Sequence, residues 1–236
     1  METDISSLKK TARFAGLLYL IWIVTGLYGL FYIPSQINMS GDAATTSQNI
    51  LSNELLFRSG MINDIISSVL WVLLALTLYR LFKQTSARQA RLMVALVIVQ
   101  VPAVYIMGAF NIASLMILKG EVMTALDSTQ SQDLATLFLR INDYGTLVLE
   151  MFWGLWLFPL AILVYRSRFM PRFLGVWLTI TGLFYVVLST TSLLLPQYGD
   201  AVTNSVLALP AELGEVAFML WLVIMGVWTK PSVDRV

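Results

Sequence analysis

Apolar residues in this chain do not recur at the spacing of one buried helix face; they run almost unbroken for some twenty residues at a time, six times over. Charges collect in the short stretches between. A helix rises 1.5 Å per residue, so about 20 apolar residues cross the roughly 30 Å hydrocarbon core of a bilayer. The predicted spans are residues 14–33, 60–81, 92–118, 144–165, 173–195 and 207–228. No charge lies between Arg13 and Asp42, between Arg91 and Lys119, or between Arg172 and Asp200. A helix of a soluble protein keeps a polar face, and these stretches have none. The pattern predicts an all-α polytopic membrane bundle of six transmembrane helices, with residues 1–236 forming a single membrane domain.

The basic residues orient the bundle. Lys9, Lys10 and Arg13, then Arg80, Lys83, Arg88 and Arg91, then Arg166, Arg168 and Arg172, then Lys230 and Arg235 make up twelve of the 15 Lys and Arg. They fall on alternate connections and on both tails. Arg58, Lys119 and Arg140 are left for the other side. Positive residues are retained in the cytoplasm, so both termini are expected there. The run after Arg13 is longer than the apolar region of a cleaved leader and has no small-residue cleavage site after it. The first helix is therefore expected to be retained.

The outer connections carry helical patterns of their own. Asp42 is placed to cap a helix from Ala43, Thr45 with Gln48 fits a capping box, and Ile50, Leu51, Leu55 and Leu56 form an apolar stripe. A short amphipathic helix on the outer face, turning at Gly60 into the second span, is predicted. Ser131 to Ile141, with Leu134, Leu137 and Phe138, repeats the arrangement before the fourth span. There is also an echo between the ends of the chain. Arg13-Phe14-Ala15-Gly16 matches Arg172-Phe173-Leu174-Gly175, Gly41-Asp42-Ala43 matches Gly199-Asp200-Ala201, and Glu54 matches Glu212. The pattern is that of two or three helical hairpins run in the same sense.

Composition narrows the chemistry. Hydrophobic residues make up 58% of the chain and charged ones 12%, about half the usual charged share. With neither Cys nor His, there is no disulfide framework, no thiolate nucleophile, and none of the commonest zinc, copper or haem ligands. No Gly-rich phosphate loop supports an ATPase, and no lysine in a span supports a Schiff base. No catalytic residue, metal site or cofactor is predicted. The expected partners are membrane lipids and either further copies of the chain or a larger membrane assembly, not nucleic acid.

Several motifs together have a familiar look. They are Thr11-Ala12-Arg13-Phe14-Ala15-Gly16-Leu17-Leu18-Tyr19-Leu20, Gly41-Asp42-Ala43, Asn53-Glu54-Leu55-Leu56-Phe57-Arg58, Phe169-Met170-Pro171-Arg172-Phe173-Leu174-Gly175, and Glu215 with Leu220-Trp221-Leu222. Over about residues 8 to 229 the chain resembles the multi-pass family catalogued as domain of unknown function 4386. The resemblance implies a prokaryotic cytoplasmic (inner) membrane protein. It carries over no reaction, ligand or catalytic residue.

Polar groups inside the spans are the candidate site. An ionisable side chain in hydrocarbon costs roughly 2.5–3.5 kcal/mol even on lenient scales, so each one needs a reason. Asp64, Glu150, Glu212 and Glu215 all fall within about 12 Å of the outer face at 1.5 Å per residue. Asn63 and Asn111 share that layer, and Gln100 lies deeper. Two accounts compete. In one, the acids are half-exposed at the rim, paired with Arg58 and Arg140, while the amides pin helices together. In the other, Glu150, Glu212 and Glu215, with Asp64 and Asn111, line an outward-facing acidic cavity that binds protons or a small ligand. The leading function is small-molecule or ion binding or transport. The alternatives are a non-catalytic lipid- or partner-binding module and, last, a membrane enzyme acting on a lipid. The Trp residues read as lipid-facing or interfacial belts. Gly16, Gly26 and Gly29 read as close-packing positions, and Pro102 with Gly108 makes the third span the one expected to bend.

Overall fold

A computed structural model describes residues 2–39, 41–203 and 208–228, with the side chains of 2–4, 200–203 and 208–212 outside the description. Every regular element among the described residues is a helix. The helices are α1 (Glu2–Leu27), α2 (Ile33–Gln36), α3 (Ala43–Ser52), α4 (Glu54–Phe82), α5 (Ala87–Ile98), α6 (Val101–Leu118), α7 (Ser128–Arg166), α8 (Arg172–Leu194), α9 (Pro196–Thr203) and α10 (Ala208–Ile224). A π-turn at Tyr28–Tyr32 joins α1 to α2, and the two tyrosine rings stack 5.4 Å apart.

Five stretches are long and apolar enough to cross a membrane: Ile5–Gln36, Glu54–Phe82, Ala87–Leu118, Ser128–Arg166 and Arg172–Leu194. They contain the first four predicted spans, extended at one or both ends, and match the fifth to within one residue at each end. The sixth, predicted over 207–228, is shorter, an apolar helix at Leu213–Ile224, and Leu207 lies outside the described residues. Large apolar side chains cover the outside of these helices: Leu17, Val24 and Leu27 on α1, Ile62, Ile66 and Val69 on α4, Val176, Ile180 and Leu183 on α8. A protein built for water rarely exposes such stripes. The chain is an apolar helical membrane protein inside and out.

Local chemistry sets where the helices break. Asp42 caps α3, its carboxylate accepting from the Thr45 N–H at 2.7 Å. The turn into the second span comes at Asn53 rather than Gly60, because the Asn53 amide folds back to donate to the Asn49 carbonyl at 2.9 Å. Gly60 instead lets Ile33 approach; an added Cβ would meet its Cδ1 at 3.0 Å. The third span breaks at Val99–Gln100, ahead of Pro102, which has no N–H for the helix. Ser131 to Ile141 is the first part of α7 rather than a separate surface helix, since nothing between them interrupts the backbone. Gly120 (φ +68°) and Gly226 (φ +66°) stop α6 and α10 in the left-handed conformation that glycine alone adopts freely.

The chain divides into two compact units, one of residues 1–20, 71–98 and 149–236, the other of residues 21–70 and 99–148. In the first, α8 packs on α10 and α9, and helices meet at glycines. An added Cβ at Gly154 would lie 2.5 Å from the Gly182 carbonyl oxygen, one at Gly175 would lie 2.8 Å from the Ala161 oxygen, and one at Gly16 would lie 2.6 Å from the Val223 nitrogen. Contacts this close are how membrane helices gain dispersion energy where no hydrophobic drive separates protein from lipid. Arg13 donates to the Ile224 carbonyl at 3.4 Å, and Arg172 lies over the Tyr165 ring. Thus both arginines of the matched motifs lean on the last turn of another helix. The match does not extend to the aspartates. Asp42 precedes α3, whereas Asp200 falls inside α9 and its side chain is outside the described residues.

In the second unit a core of Ile33, Ile37, Ile50, Phe57 and Leu115 draws α2, α3, α4 and α6 together. A polar seam runs beside it. Asn63 donates to the Thr25 carbonyl at 3.1 Å, Thr25 donates to Ser67 at 3.1 Å, and the Tyr28 and Ser59 hydroxyls are 2.7 Å apart. Gly29 makes room for the Asn63 amide, 2.9 Å from where a Cβ would stand, whereas Gly26 has nothing within 4 Å. Of the glycines predicted to serve close packing on the first helix, Gly16 and Gly29 do so and Gly26 does not.

Candidate functional site

Glu215 sits in the second turn of the described part of α10, and Gly214 beside it lets α8 come close at Trp177 and Thr181. The carboxylate is 7% exposed. Tyr19, fully buried on α1, donates its hydroxyl to Glu215 Oε2. The tyrosine ring is held on two sides, 6.2 Å from Trp156 and 6.1 Å from Phe218, and Trp156 meets Trp71 edge-on at 5.7 Å. These four rings are almost wholly shielded. Glu215 therefore lies in an aromatic, water-excluding setting with a phenol as its hydrogen-bond donor and, among the described residues, no cation paired to it.

Glu150, on α7 of the same unit, is partly buried, and its Oε2 is shielded from solvent with no hydrogen-bond partner among the described residues. A carboxylate oxygen left in that condition is an unmet acceptor. No hydrogen bond or ion pair among the described residues joins Glu150 to Glu215. The side chain of Glu212 lies outside the described residues.

Asp64 and Asn111 belong to the other unit. Asp64 is half-buried on α4, its Oδ1 3.8 Å from where a Cβ at Gly29 would stand. Asn111 lines a cavity of about 120 Å³ with Met39, Thr46, Phe57, Arg140 and Asp143 among its walls. The Asn142 amide at its edge donates to the Met107 carbonyl at 3.1 Å. This cavity mixes cation, anion and amide.

Of the two basic residues weighed as partners for the span acids, Arg58 pairs with Glu54 at 2.7 Å. Lys119 shares Glu54 at 3.1 Å and also reaches Glu121 at 3.2 Å. Those hydrogen bonds raise the Lys119 pKa. Glu54 absorbs both cations because it stands one turn before Arg58, at the i,i+4 spacing that brings side chains together on a helix.

Residues 14–226 match the family described as a domain of unknown function, DUF4386. The chain belongs to the DUF4386 family. A relative from Archaeoglobus fulgidus, itself described as an uncharacterized protein, is 37% identical over 119 residues, which cover 49% of this chain and 66% of the relative, just under two thirds of its length. No solved structure matches. Membership in DUF4386 assigns no chemistry, so the reading of the site rests on its own geometry.

Sequence reasoning missed Tyr19 and the rings around it. Tyr19 stands amid an apolar stretch like the other aromatics of that helix, and Trp71 and Trp156, predicted with the rest to face lipid, are core residues at 4% and 0% exposure. The one signal was a phenol in the uncharged first span and a carboxylic acid in the last. Neither can leave its polar atom unpartnered in hydrocarbon.

Proposed function

We propose that this DUF4386 protein binds a proton at the Glu215–Tyr19 pair and couples that proton to the movement of a small solute or ion. The observation that carries the reading is a buried carboxyl group that accepts from a phenol, whose own ring is packed between Trp156 and Phe218. Ionised, a carboxylate only accepts; protonated, it also donates, while a tyrosine hydroxyl does both. The pair can therefore keep a hydrogen bond in either state, which suits a group that takes up and gives back a proton. Glu150, with its unmet oxygen, is a second acceptor in the same unit. The cavity at Asn111 is the candidate solute site, and Asp64 and Glu212 are supporting acids.

The architecture that goes with this reading is one membrane domain with six spans, the sixth at α10, in a prokaryotic cytoplasmic membrane, both termini inside and α3 outside. The alternation of basic residues supports it. The chain has no cysteine, so Gln48→Cys and Gln130→Cys are expected to react with an impermeant thiol reagent added outside intact cells, and Gln84→Cys and Arg168→Cys only after permeabilisation. The opposite pattern overturns the orientation.

Proton binding is tested by pH-difference infrared spectra of the protein in lipid. A titrating carboxyl band is expected in the wild type, lost in Glu215→Gln and displaced in Tyr19→Phe. Coupling is tested in proteoliposomes with an internal pH dye, challenged in turn with inorganic cations, amines and carboxylates. A spectrum of Glu215→Gln that superimposes on the wild type removes the reading.

A further inference from the structure

The connection between α7 and α8 is basic, carrying Arg166, Arg168 and Arg172 within seven residues and no acid. Beside it lies a groove of about 290 Å³ lined by Ala161, Ile162, Tyr165, Arg166, Gly175, Val176 and Thr179. Its floor is backbone. Because Gly175 has no side chain, α8 comes close enough to α7 that a Cβ would stand 2.8 Å from the Ala161 oxygen and 2.9 Å from Tyr165 Cβ. Its walls are apolar and open outward, with Tyr165 and Val176 about half exposed. The Thr179 hydroxyl is turned away from any ligand, donating to the Gly175 carbonyl at 3.0 Å.

Arg166 lines this apolar groove, and Arg172 lies over its Tyr165 wall. Among the described residues no carboxylate pairs with Arg166, Arg168 or Arg172. Arg172 is held in place by the Tyr165 ring, its Cζ 5.6 Å from the ring centre. A cation fixed over an aromatic face keeps its outward N–H groups free for an anion, and the guanidinium fork matches phosphate oxygens two at a time.

We propose that this groove is a binding site for one anionic phospholipid, its phosphate held by Arg166 and Arg172 and an acyl chain lying along Ile162, Val176 and Thr179 over the Gly175 floor. The charge asymmetry selects the occupant. A cationic end on an otherwise apolar slot between two membrane helices complements an anionic headgroup joined to a hydrocarbon tail, and basic pockets between helices are where such lipids dock. The volume agrees. A cavity of about 150 Å³ holds a benzene molecule, so this one takes a chain segment of roughly twice that size and no whole lipid. The site is independent of the Glu215–Tyr19 reading and stands or falls without it.

The test is native mass spectrometry of the full chain released from nanodiscs containing equal parts phosphatidylglycerol and phosphatidylcholine. The wild type is expected to retain one phosphatidylglycerol in preference to phosphatidylcholine. Near a membrane surface each arginine accounts for about a fivefold change in affinity, so Arg166→Gln and Arg172→Gln are each expected to lower retention several-fold. Val176→Trp fills the slot without altering charge and is expected to lower it as well. Arg88→Gln and Arg91→Gln, outside the groove, leave it unchanged. Equal retention of the two lipids by the wild type overturns the proposal. So does undiminished phosphatidylglycerol in both arginine variants, or its displacement by excess inorganic phosphate alone. Val176→Trp keeps the question answerable if an arginine variant does not fold.

Discussion

Gly154→Ala is the sharpest test of how α7 and α8 are held together. The added Cβ would stand 2.5 Å from the Gly182 carbonyl oxygen and 2.9 Å from Val186 Cγ2. Carbon and oxygen rest comfortably at about 3.4 Å, so the two helices must part by roughly 0.9 Å or bend. The obstacle is backbone, which cannot rotate away as a side chain would. Gly182 offers no relief, since its own Cβ position is 2.9 Å from the Gly154 oxygen. Overpacking of this kind typically costs 1–3 kcal/mol, and separating the helices also forfeits the dispersion contacts along their seam. For a chain of this length about 2–4 °C of melting temperature is lost per kcal/mol, giving an expected drop of roughly 2–12 °C. The readout is tryptophan fluorescence during heating in detergent. Gly26→Ala and Gly108→Ala are the controls, because an added Cβ at either meets nothing within 4 Å. Both should melt with the wild type or slightly above it, since alanine restricts the unfolded chain. If Gly154→Ala melts with those two controls, the close approach of α7 and α8 is wrong.

Three other outcomes follow from named contacts. Tyr19→Phe removes the only hydroxyl donated to Glu215 among the described residues and leaves a buried acceptor unmet, which costs about 1–3 kcal/mol in chemical denaturation; Glu215→Gln keeps an oxygen for Tyr19 and should cost less. Trp156→Ala empties a fully buried site and should cost about 3–5 kcal/mol, whereas Trp228→Ala, at an exposed position, should cost little. The Asp42 carboxylate is held below its usual pKa by the Thr45 backbone N–H. Its capping is therefore complete above the ordinary aspartate pKa and is lost as pH falls through the lowered one. Amide exchange at residues 43–46 should speed up over that acid range in the wild type, and Asp42→Asn, which still caps but cannot titrate, should remove the pH dependence.

Elements were legible in this sequence wherever a single stretch of chain decides the matter. Arg13 to Asp42 without a charge can only be a helix in apolar surroundings, and Asp42 followed three residues later by the N–H of Thr45 is a complete local cap. The same holds for the break ahead of Pro102. The boundary at Asn53 was harder to see, because the amide that closes α3 also fits the interior of a longer helix.

The candidate site was legible only as a list of its members. Glu215, Glu150, Asp64 and Asn111 stand out individually because each is costly in hydrocarbon, and that cost depends on the residue alone. What each one meets depends on side chains far away along the chain. Tyr19 reaches Glu215 across 196 residues, Trp71 and Trp156 turn inward, and Glu54 takes Arg58, one of the two cations weighed as partners for the span acids. A uniformly apolar helix has no polar face to reveal which side is buried. The sequence by itself determined that the chain is a set of apolar membrane helices and which of their residues are costly to bury. Only the tertiary structure decided which way each helix turns, and hence that Glu215 is matched with a phenol and that, among the described residues, Glu150 keeps an open acceptor and Arg166 and Arg172 have no carboxylate partner beside the apolar groove.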